Sequence, residues 1–306
     1  MHVGGPCSPI VKVGDRVLRG QLIAEPSGLG ANIHASYTGE VTAVTETDIV
    51  IKADDKQNFD EYVKIPDTKT NLEAIAAAGV VGAGGAGFPT AVKLKTEIPQ
   101  GCFIANCAEC EPLLAHNIHQ IETDAAQLVR GVKYAMEITK APKGYIAIKP
   151  KHKKAVIELI KACRNEDNID VFRLPDMYPA GDERVIVREV MGIELEPGQL
   201  PGTVGACIDN AETLKNIALA IEERKPVIDK DITVSGRVAH KESVFVDVPI
   251  GTPMGDLIER AGGFINPHGE IVVGGPQTGR TGSEENSGYQ NKRRLPSCNA
   301  VPAGKT

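Results

Sequence analysis

The chain has 306 residues, of which 42% are hydrophobic and 24% are charged, and this predicts two or three globular domains with buried cores. Its formal net charge of −6 argues against nucleic acid as the main partner. No apolar run approaches the roughly 18 residues of a membrane-spanning helix, and no signal-peptide pattern opens the chain. Without a secretory signal, the seven cysteines are expected to be free thiols, redox groups or metal ligands. We therefore expect a cytoplasmic protein.

Residues 1–66 have the pattern of an all-β module. Apolar and polar residues alternate in Val11–Val17 and again in Gly39–Val44, with glycines and prolines between them. The segment Lys12–Glu25, followed by Ile33-His34-Ala35, resembles the barrel-sandwich fold of biotinyl and lipoyl domains. Those domains carry a modified lysine on a tight turn, whereas the corresponding turn here is Glu25-Pro26-Ser27-Gly28. The resemblance therefore implies a structural module without a swinging arm.

Two polar features of this module have simple interpretations. His34 directly follows the apolar Ile33, and we expect a packed or surface histidine more than a ligand. Residues 48–66 are polar and acidic, which predicts a solvated hairpin or a linker to the next domain.

Residues 67–225 alternate between strand and helix patterns. The predicted strands are residues 101–106, 144–148 and 169–174, and the predicted helices are residues 121–139 and 154–163. This alternation favours a parallel sheet with ligands at the carboxyl ends of its strands. The polar segments 178–183 and 208–213 both precede predicted helices, so they are expected to bring polar groups to that edge.

A glycine-rich segment, Gly82–Lys93, follows the alanine-rich apolar run Ala74–Val81. Its four glycines permit positive φ and a close approach of backbone to a ligand. Pro89 suits the first turn of a helix, whose free N–H groups favour a phosphate, and Lys93 would add a positive charge. The pattern predicts a nucleotide or flavin phosphate site, and an ordinary glycine-rich turn is the alternative.

Acidic residues cluster after two of the predicted strands. Glu109 and Glu111 flank Cys110 after the first strand, and Asp182-Glu183 follow the third. Carboxylates near a phosphate loop make sense as acceptors for a ribityl, ribose or amide donor. The alternative is that these acids are solvated loop residues.

The cysteine spacing offers a second kind of chemistry. Cys102, Cys107 and Cys110 have the Cys-x4-Cys-x2-Cys spacing of plant-type [2Fe–2S] ferredoxins. Because Cys102 falls inside a predicted strand, we favour inert thiols over either this cluster or a reactive Cys107/Cys110 pair. His116 and His119 share a helix face only as i and i+3, so we predict no metal site there.

The last part of the chain divides into a β-rich unit and a polar tail. Predicted strands at 231–237 and 242–248, a helix at 254–261 and a strand at 269–276 give a ββαβ order typical of a β-grasp domain. Residues 283–306 contain almost no apolar side chains, and we predict a disordered or foreign tail.

Two motifs together resemble a known family. Gly82–Lys93 and the run Asn106-Cys-Ala-Glu-Cys-Glu-Pro112 are similar to segments of the RnfC proteins and of the NuoF-type flavin subunit of respiratory complex I. Leu174–Arg184 and Glu196–Pro201 look most like the RnfC-type electron-transfer protein associated with D-proline reductase, PrdC. The resemblance extends to about residue 280. It implies a barrel-sandwich module (1–66), an α/β FMN/NADH-binding domain (67–225) and a β-grasp module of the SLBB type (226–282).

The resemblance also implies an activity and a set of site residues. Family members accept hydride from NADH on FMN and pass single electrons to iron–sulfur centres or a reductase partner. Phe88 and Glu111 match the NADH-binding positions. The residues that would bind FMN are Gly82, Gly84, Gly85, Lys93, Asn106, Glu109, Cys110, Gly181, Asp182, Glu183, Ile208, Asp209, Asn210 and Ala211.

The sequence departs from the family at identifiable positions. Ala108 and Ala83 stand where complex I has an aspartate and an arginine, which weakens the case for NADH more than that for FMN. The Cys-x-x-Cys-x-x-Cys motifs that hold [4Fe–4S] clusters in the family are absent from this chain. Expected partners are Rnf-like or proline reductase-like proteins, in the cytoplasm or peripheral to a membrane complex. The alternative is a non-catalytic scaffold that docks a reductase and has lost its flavin.

Overall fold

The computed structural model describes residues 2–83, 85–265, 270–277, 279–282 and 298–301. The N-terminal module contains two antiparallel three-stranded sheets, ordered β1-β3-β4 and β2-β5-β6. Val17, Ile23, Ala35 and Val41 form its small core. Its strands are β1 (Cys7–Pro9), β2 (Arg16–Val17), β3 (Leu22–Pro26), β4 (Ile33–His34), β5 (Gly39–Val44) and β6 (Ile49–Ala53).

This module confirms the all-β prediction and refines it at two places. The segment predicted as a hairpin or linker begins with strand β6, which pairs with β5, and residues 54–66 contain no regular element. His34 is a packed histidine, as expected: it is buried, and burial lowers its pKa to about 4.

The central domain begins with two short helices, α1 (Asn71–Ala77) and α2 (Thr90–Lys93). Thr70 caps α1 by accepting a hydrogen bond from the Glu73 amide at 3.2 Å. The alanine-rich run is therefore helical over its first half, and the glycine-rich loop connects the two helices. The helix that Pro89 precedes is a single turn.

A parallel four-stranded sheet, ordered β10-β7-β8-β9, forms the centre of this domain. The chain runs from β7 outward to β9 and then returns to place β10 on the other side of β7. The direction of winding thus reverses between β7 and β10, and such a point forms a crevice at the carboxyl ends of the strands. The elements in order are β7 (Cys102–Cys107), α3 (His116–Thr139), β8 (Lys143–Ile148), α4 (Lys153–Ala162), β9 (Ile169–Arg173), α5 (Glu183–Met191), β10 (Ala206–Asn210) and α6 (Ala211–Glu222).

Helices cover both faces of this sheet. Side chains from α3, α4 and α6 pack on the face that receives Phe103 and Cys107, whereas α5 packs on the opposite face with Cys102 and Ile104. Successive residues of a strand point to opposite faces, so β7 contributes to both cores. The buried strands and the α/β order agree with the sequence-based prediction.

The C-terminal module confirms the ββαβ order and adds two strands. Its elements are β11 (Asp229–Gly236), β12 (Glu242–Pro249), α7 (Met254–Arg260), β13 (Glu270–Val273), β14 (Arg280–Gly282) and β15 (Cys298–Val301). The sheet order is β12-β11-β15-β13-β14. Strand β15 runs parallel to Val234–Gly236, within the tail predicted to be disordered. The rest of that tail, 283–297 and 302–306, lies outside the described residues.

Buried ion pairs join the three modules. Arg19 of the N-terminal module donates to Asp229 of the C-terminal module at 2.7 Å, and both side chains are almost fully buried. Lys215 of α6 contacts Asp231 at 2.9 Å, and Lys230 pairs with Glu212. Removing one partner of such a pair is costly, so these contacts fix the modules relative to each other. None of the described helices is long and apolar enough to cross a bilayer.

Candidate functional site

The glycine-rich segment forms a closed loop at the crevice. A bridge between Val81 and Pro89, with the Gly82 amide donating to the Phe88 carbonyl at 2.9 Å, closes the loop at its base. The Ala83 amide donates to the Thr213 hydroxyl at 2.9 Å, which ties the loop to helix α6. Among the loop glycines that the structure describes, only Gly87 has positive φ, at 69°.

Backbone strain and packing within the chain do not explain why Gly82 and Gly85 are glycines. A Cβ at Gly85 would meet nothing within 4 Å, and one at Gly82 would lie 3.8 Å from its nearest neighbours, an ordinary contact. The amides of Gly85 and Ala86 donate to no other described residue. Glycine at these positions leaves room for a ligand to approach the backbone closely. Because α2 is a single turn, the amides of the loop are the candidate groups for an anion.

Lys93 connects three of the segments predicted to bind the ligand. Its ammonium donates to the Ile208 carbonyl at 2.5 Å and to Asp209 Oδ1 at 3.0 Å, and it lies 3.8 Å from Glu183. Burial lowers the pKa of Lys93, but the carboxylates of Asp209 and Glu183 outweigh it and hold the pKa above its usual value. Its charge is therefore largely matched within the chain, and its contact with a phosphate stays a prediction.

Asp209 retains unused hydrogen-bonding capacity at the same place. It is buried at the carboxyl end of β10, and its second oxygen, Oδ2, has no partner among the described residues. Burial raises the pKa of Asp209, and the Lys93 ammonium opposes that rise. A buried carboxylate oxygen without a donor marks a position that a ligand hydroxyl or amide would satisfy.

Asn106 and Gly181 connect the loops that follow β7 and β9. The Asn106 side-chain amide donates to the Gly181 carbonyl at 2.9 Å, and the Gly181 amide donates to Cys110 Sγ at 2.6 Å. A Cβ at Gly181 would lie 2.8 Å from that sulfur, so only glycine fits without displacing it. Asn106 is also the register partner of Asn210, the residue that caps α6. Asp182 caps α5 by accepting from the Arg184 amide at 2.9 Å.

Glu109 lies in a desolvated position beside this pair of loops. Its Oε2 accepts a hydrogen bond from Asn117 at 3.0 Å. Burial raises the pKa of Glu109 to about 7, against the opposing effect of the Asn117 hydrogen bonds. The Glu109 carboxyl is therefore only partly ionised near neutral pH.

Lys149 carries a second buried charge at this edge. It directly follows β8, is 3% exposed, and donates to the Glu109 carbonyl at a long 3.5 Å. It forms no ion pair with any carboxylate in the described part of the chain. A buried ammonium without a counter-ion is unfavourable, so an anionic group at this edge would stabilise it.

The two residues predicted to bind NADH lie in different surroundings. Phe88 is half-buried at the base of the glycine-rich loop, where its carbonyl accepts from Gly82. Glu111 points to the C-terminal module, where its Oε2 accepts from the Gln277 amide at 2.9 Å. The contact with Gln277 could not be foreseen from the motif.

The cysteine spacing does not form a cluster site. Cys102 packs on the α5 side of the sheet and Cys107 on the α3 side, so the two thiols cannot bind one cluster. Cys110 packs on the α5 side, which also separates it from Cys107. Burial raises the pKa of Cys102 to about 11 and that of Cys107 further. His116 is buried against Thr233, whereas His119 is exposed.

Comparison with known proteins agrees with this architecture. Residues 75–219 match the family described as the Nuo51 FMN-binding domain, and residues 1–59 match the RnfC barrel sandwich hybrid domain. One protein of the Na⁺-translocating ferredoxin:NAD⁺ oxidoreductase complex of Acetobacterium woodii is 35% identical over 301 residues, which cover 92% of this chain and 67% of that protein. This chain belongs to the RnfC-type family.

Two further relatives of this RnfC-type chain are a protein of a second ferredoxin:NAD⁺ oxidoreductase complex and a cobalamin reductase. One protein of the proton-translocating ferredoxin:NAD⁺ oxidoreductase complex of Clostridium ljungdahlii is 36% identical over 296 residues, 91% of this chain and 64% of that protein. The cobalamin reductase PduS of Salmonella typhimurium is 42% identical over 207 residues, 68% of this chain and 45% of that protein. The chain thus spans about two thirds or less of the length of these relatives. Special closeness to PrdC stays a prediction.

A solved structure supports the fold of the RnfC-type chain. An NAD⁺-reducing [NiFe]-hydrogenase superimposes with a TM-score of 0.61 at 21% identity, over 76% of this chain and 46% of the hydrogenase chain. Identity this low supports the fold alone.

Two residues of the crevice, Asn117 and Lys149, are not indicated by the sequence analysis, whereas Thr213 lies in the segment 208–213 that is expected at this edge. Asn117 lies on a helix, and no motif singles out its side chain. Lys149 could have been found, since it directly follows a buried strand, the same signal that indicated Glu109.

Proposed function

We propose that this chain is an electron-transfer flavoprotein subunit that binds FMN in the crevice between β7 and β10 and accepts hydride from NADH. One observation carries the proposal. The glycine-rich loop, the end of β7, the start of α5 and the end of β10 are tied together at one sheet edge by Lys93, Asn106 and Gly181. The FMN-binding domain match covers all four segments.

The residues present fit FMN. Loop amides near Gly85 would hold the phosphate, and the free oxygen of Asp209 would accept from a ribityl hydroxyl. Asn106, Glu109, Cys110 and the segment Gly181–Glu183 would surround the ring, with Asn210 and Ala211 closing the site. When bound, FMN supplies the conversion between hydride transfer and single-electron transfer.

The chain's own groups would set the electrostatics of that site. The buried Lys149 ammonium favours negative charge beside it, whereas the Glu109 carboxyl, with a pKa of about 7, changes its own charge near neutral pH. Phe88, at the base of the loop, and Glu111 are proposed to contact the dinucleotide.

Titration of the purified chain with FMN tests this proposal. We expect saturable one-to-one quenching of flavin fluorescence, followed by loss of the visible flavin absorbance when NADH is added. If the chain does not bind FMN, the result would support the alternative of a non-catalytic scaffold that docks a reductase. A chain that binds FMN but is not reduced by NADH would restrict the proposal to another electron donor.

The electron acceptor has two candidates. Similarity to the Rnf proteins favours iron–sulfur centres of partner proteins, and the 42% identity to PduS favours a cobalamin. The reduced protein, mixed anaerobically with ferredoxin or with cob(II)alamin, separates them by which spectrum changes. We further propose that the C-terminal module is an SLBB domain and that the chain acts in the cytoplasm or at the surface of a membrane complex, with electron-transfer or reductase proteins as partners.

A further inference from the structure

The loop between β7 and α3, residues 108–115, contacts the C-terminal module through Glu111, Leu113 and Ala115. Glu111 Oε2 accepts from the Gln277 amide at 2.9 Å. The Leu113 carbonyl accepts from the Ser235 hydroxyl at 2.9 Å, and the Ala115 amide donates to the Thr233 hydroxyl at 3.1 Å. The C-terminal module therefore contacts residues 111–115 of the loop that also carries Glu109 and Cys110.

Thr233 uses its full hydrogen-bonding capacity in this contact. Its oxygen accepts from the amides of Ala115 and His116, at 3.1 and 3.0 Å, and lies 3.0 Å from His116 Nδ1. Burial lowers the pKa of His116 to about 3, so the ring is neutral. Because the hydroxyl already accepts from two amides, we assign the tautomer with an unprotonated Nδ1, to which the hydroxyl donates. A hydroxyl has one donor and two acceptor sites, and all three are used.

This hydroxyl replaces a local helix cap. Ala115 occupies the N-cap position of α3 and has no side chain that could accept from the first amides of the helix. Thr233 accepts from those amides although it lies 117 residues from His116 in the chain. The start of α3 thus depends on the neighbouring module.

The loop has a conformation that needs external support. Glu109 and Leu113 both have positive φ, 35° and 65°, a region that non-glycine residues rarely adopt. Such strain persists where the surroundings determine the backbone. A Cβ at Gly275 would clash with the Glu111 carboxyl, so any larger residue there would displace Glu111 from this position.

We infer that the C-terminal module is a structural part of the flavin site, with Thr233 and Ser235 as positioning residues that fix the Glu109–Ala115 loop. The inference rests on the proposed binding of FMN for its functional consequence. Loss of the Thr233 hydroxyl leaves the Ala115 and His116 amides without acceptors, loosens the loop and misplaces Glu109.

Thr233→Val and Thr233→Ser test this inference in the full chain. Valine has nearly the shape of threonine without a hydroxyl, whereas serine keeps the hydroxyl. The matched control is Thr139→Val, which removes a buried hydroxyl at the other end of α3, where it donates to the Ala135 carbonyl at 2.7 Å. The measurements are hydrogen exchange of the loop amides without ligand and the dissociation constant of FMN.

We expect Thr233→Val to speed exchange in residues 109–116 at least about tenfold and to weaken FMN binding by about tenfold. Thr233→Ser should restore both properties, and Thr139→Val should change neither. Unchanged loop exchange in Thr233→Val overturns the inference whether or not the wild type binds FMN. Faster exchange with unchanged FMN affinity confines Thr233 to a structural role and also overturns it. Failure of the wild type to bind FMN refutes the proposed function, and the exchange result then stands alone.

Discussion

Gly85→Ala separates folding from ligand binding in the glycine-rich loop. The added Cβ would meet no atom within 4 Å, and Gly85 does not have positive φ. The substitution therefore introduces no clash or strain into the folded chain. Replacing glycine by alanine also reduces the conformational entropy of the unfolded chain, which stabilises proteins by about 0.4–1 kcal/mol at compatible positions. We expect the free energy of unfolding to be unchanged or raised by that amount.

The same methyl group should weaken the binding of FMN. If the phosphate contacts the loop backbone at Gly85, a side chain there occupies its place, and binding should weaken at least about tenfold, or 1.4 kcal/mol. The assay pairs urea unfolding with fluorescence titration of FMN. Gly28→Ala is the control, because its Cβ also meets nothing within 4 Å, in the N-terminal module. Unchanged FMN affinity in Gly85→Ala would refute the reasoning, and so would a marked loss of stability.

Three further substitutions have defined outcomes. Lys149→Met removes a buried positive charge, so the midpoint potential of bound FMN should fall in spectroelectrochemical titration; an unchanged or higher potential contradicts this. Folding raises the pKa of Glu109 from 4.5 to about 7. The contribution of Glu109 to the free energy of unfolding is therefore fully present below pH 4.5 and is lost as the pH rises to about 7, by at most about 1.4 kcal/mol per pH unit. Glu109→Gln should remove that part of the pH dependence in urea unfolding, and identical profiles would count against the shift. Arg19→Met leaves Asp229 buried with Lys225 as its remaining partner and should lower the free energy of unfolding by about 3 kcal/mol, whereas an unchanged denaturation midpoint would show that the pair does not hold the modules.

The regular parts of the fold could be predicted from the sequence because local patterns determine them. The strand at Gly144–Ile148 is a short apolar run after a turn, and it appears as β8 with one extra residue. The sequence pattern predicts that helix α3 begins at residue 121, whereas in the structure it begins at His116. Its first turn has no cap of its own, so no local signal marks it, and the acceptor comes from Thr233.

The sequence predicts which single segments contribute to the candidate site, but it does not predict the contacts between segments that are distant in the chain. The motifs indicated the glycine-rich loop, Asn106 and Gly181, but no pattern in the sequence shows that Lys93 pairs with Asp209. The cysteine spacing alone would indicate a cluster, but the position of Cys102 inside a predicted strand already argues against one. The spacing ignores the alternation of side chains along a strand, which sends Cys102 and Cys107 to opposite faces.

The measurement that tests the central claim most directly is a crystal structure of the chain reconstituted with FMN. The account predicts flavin density in the crevice between β7 and β10, with the phosphate against the Gly82–Phe88 loop and the ring beside Asn106 and Gly181. Flavin density at another place, or an empty crevice at saturating FMN, would contradict it.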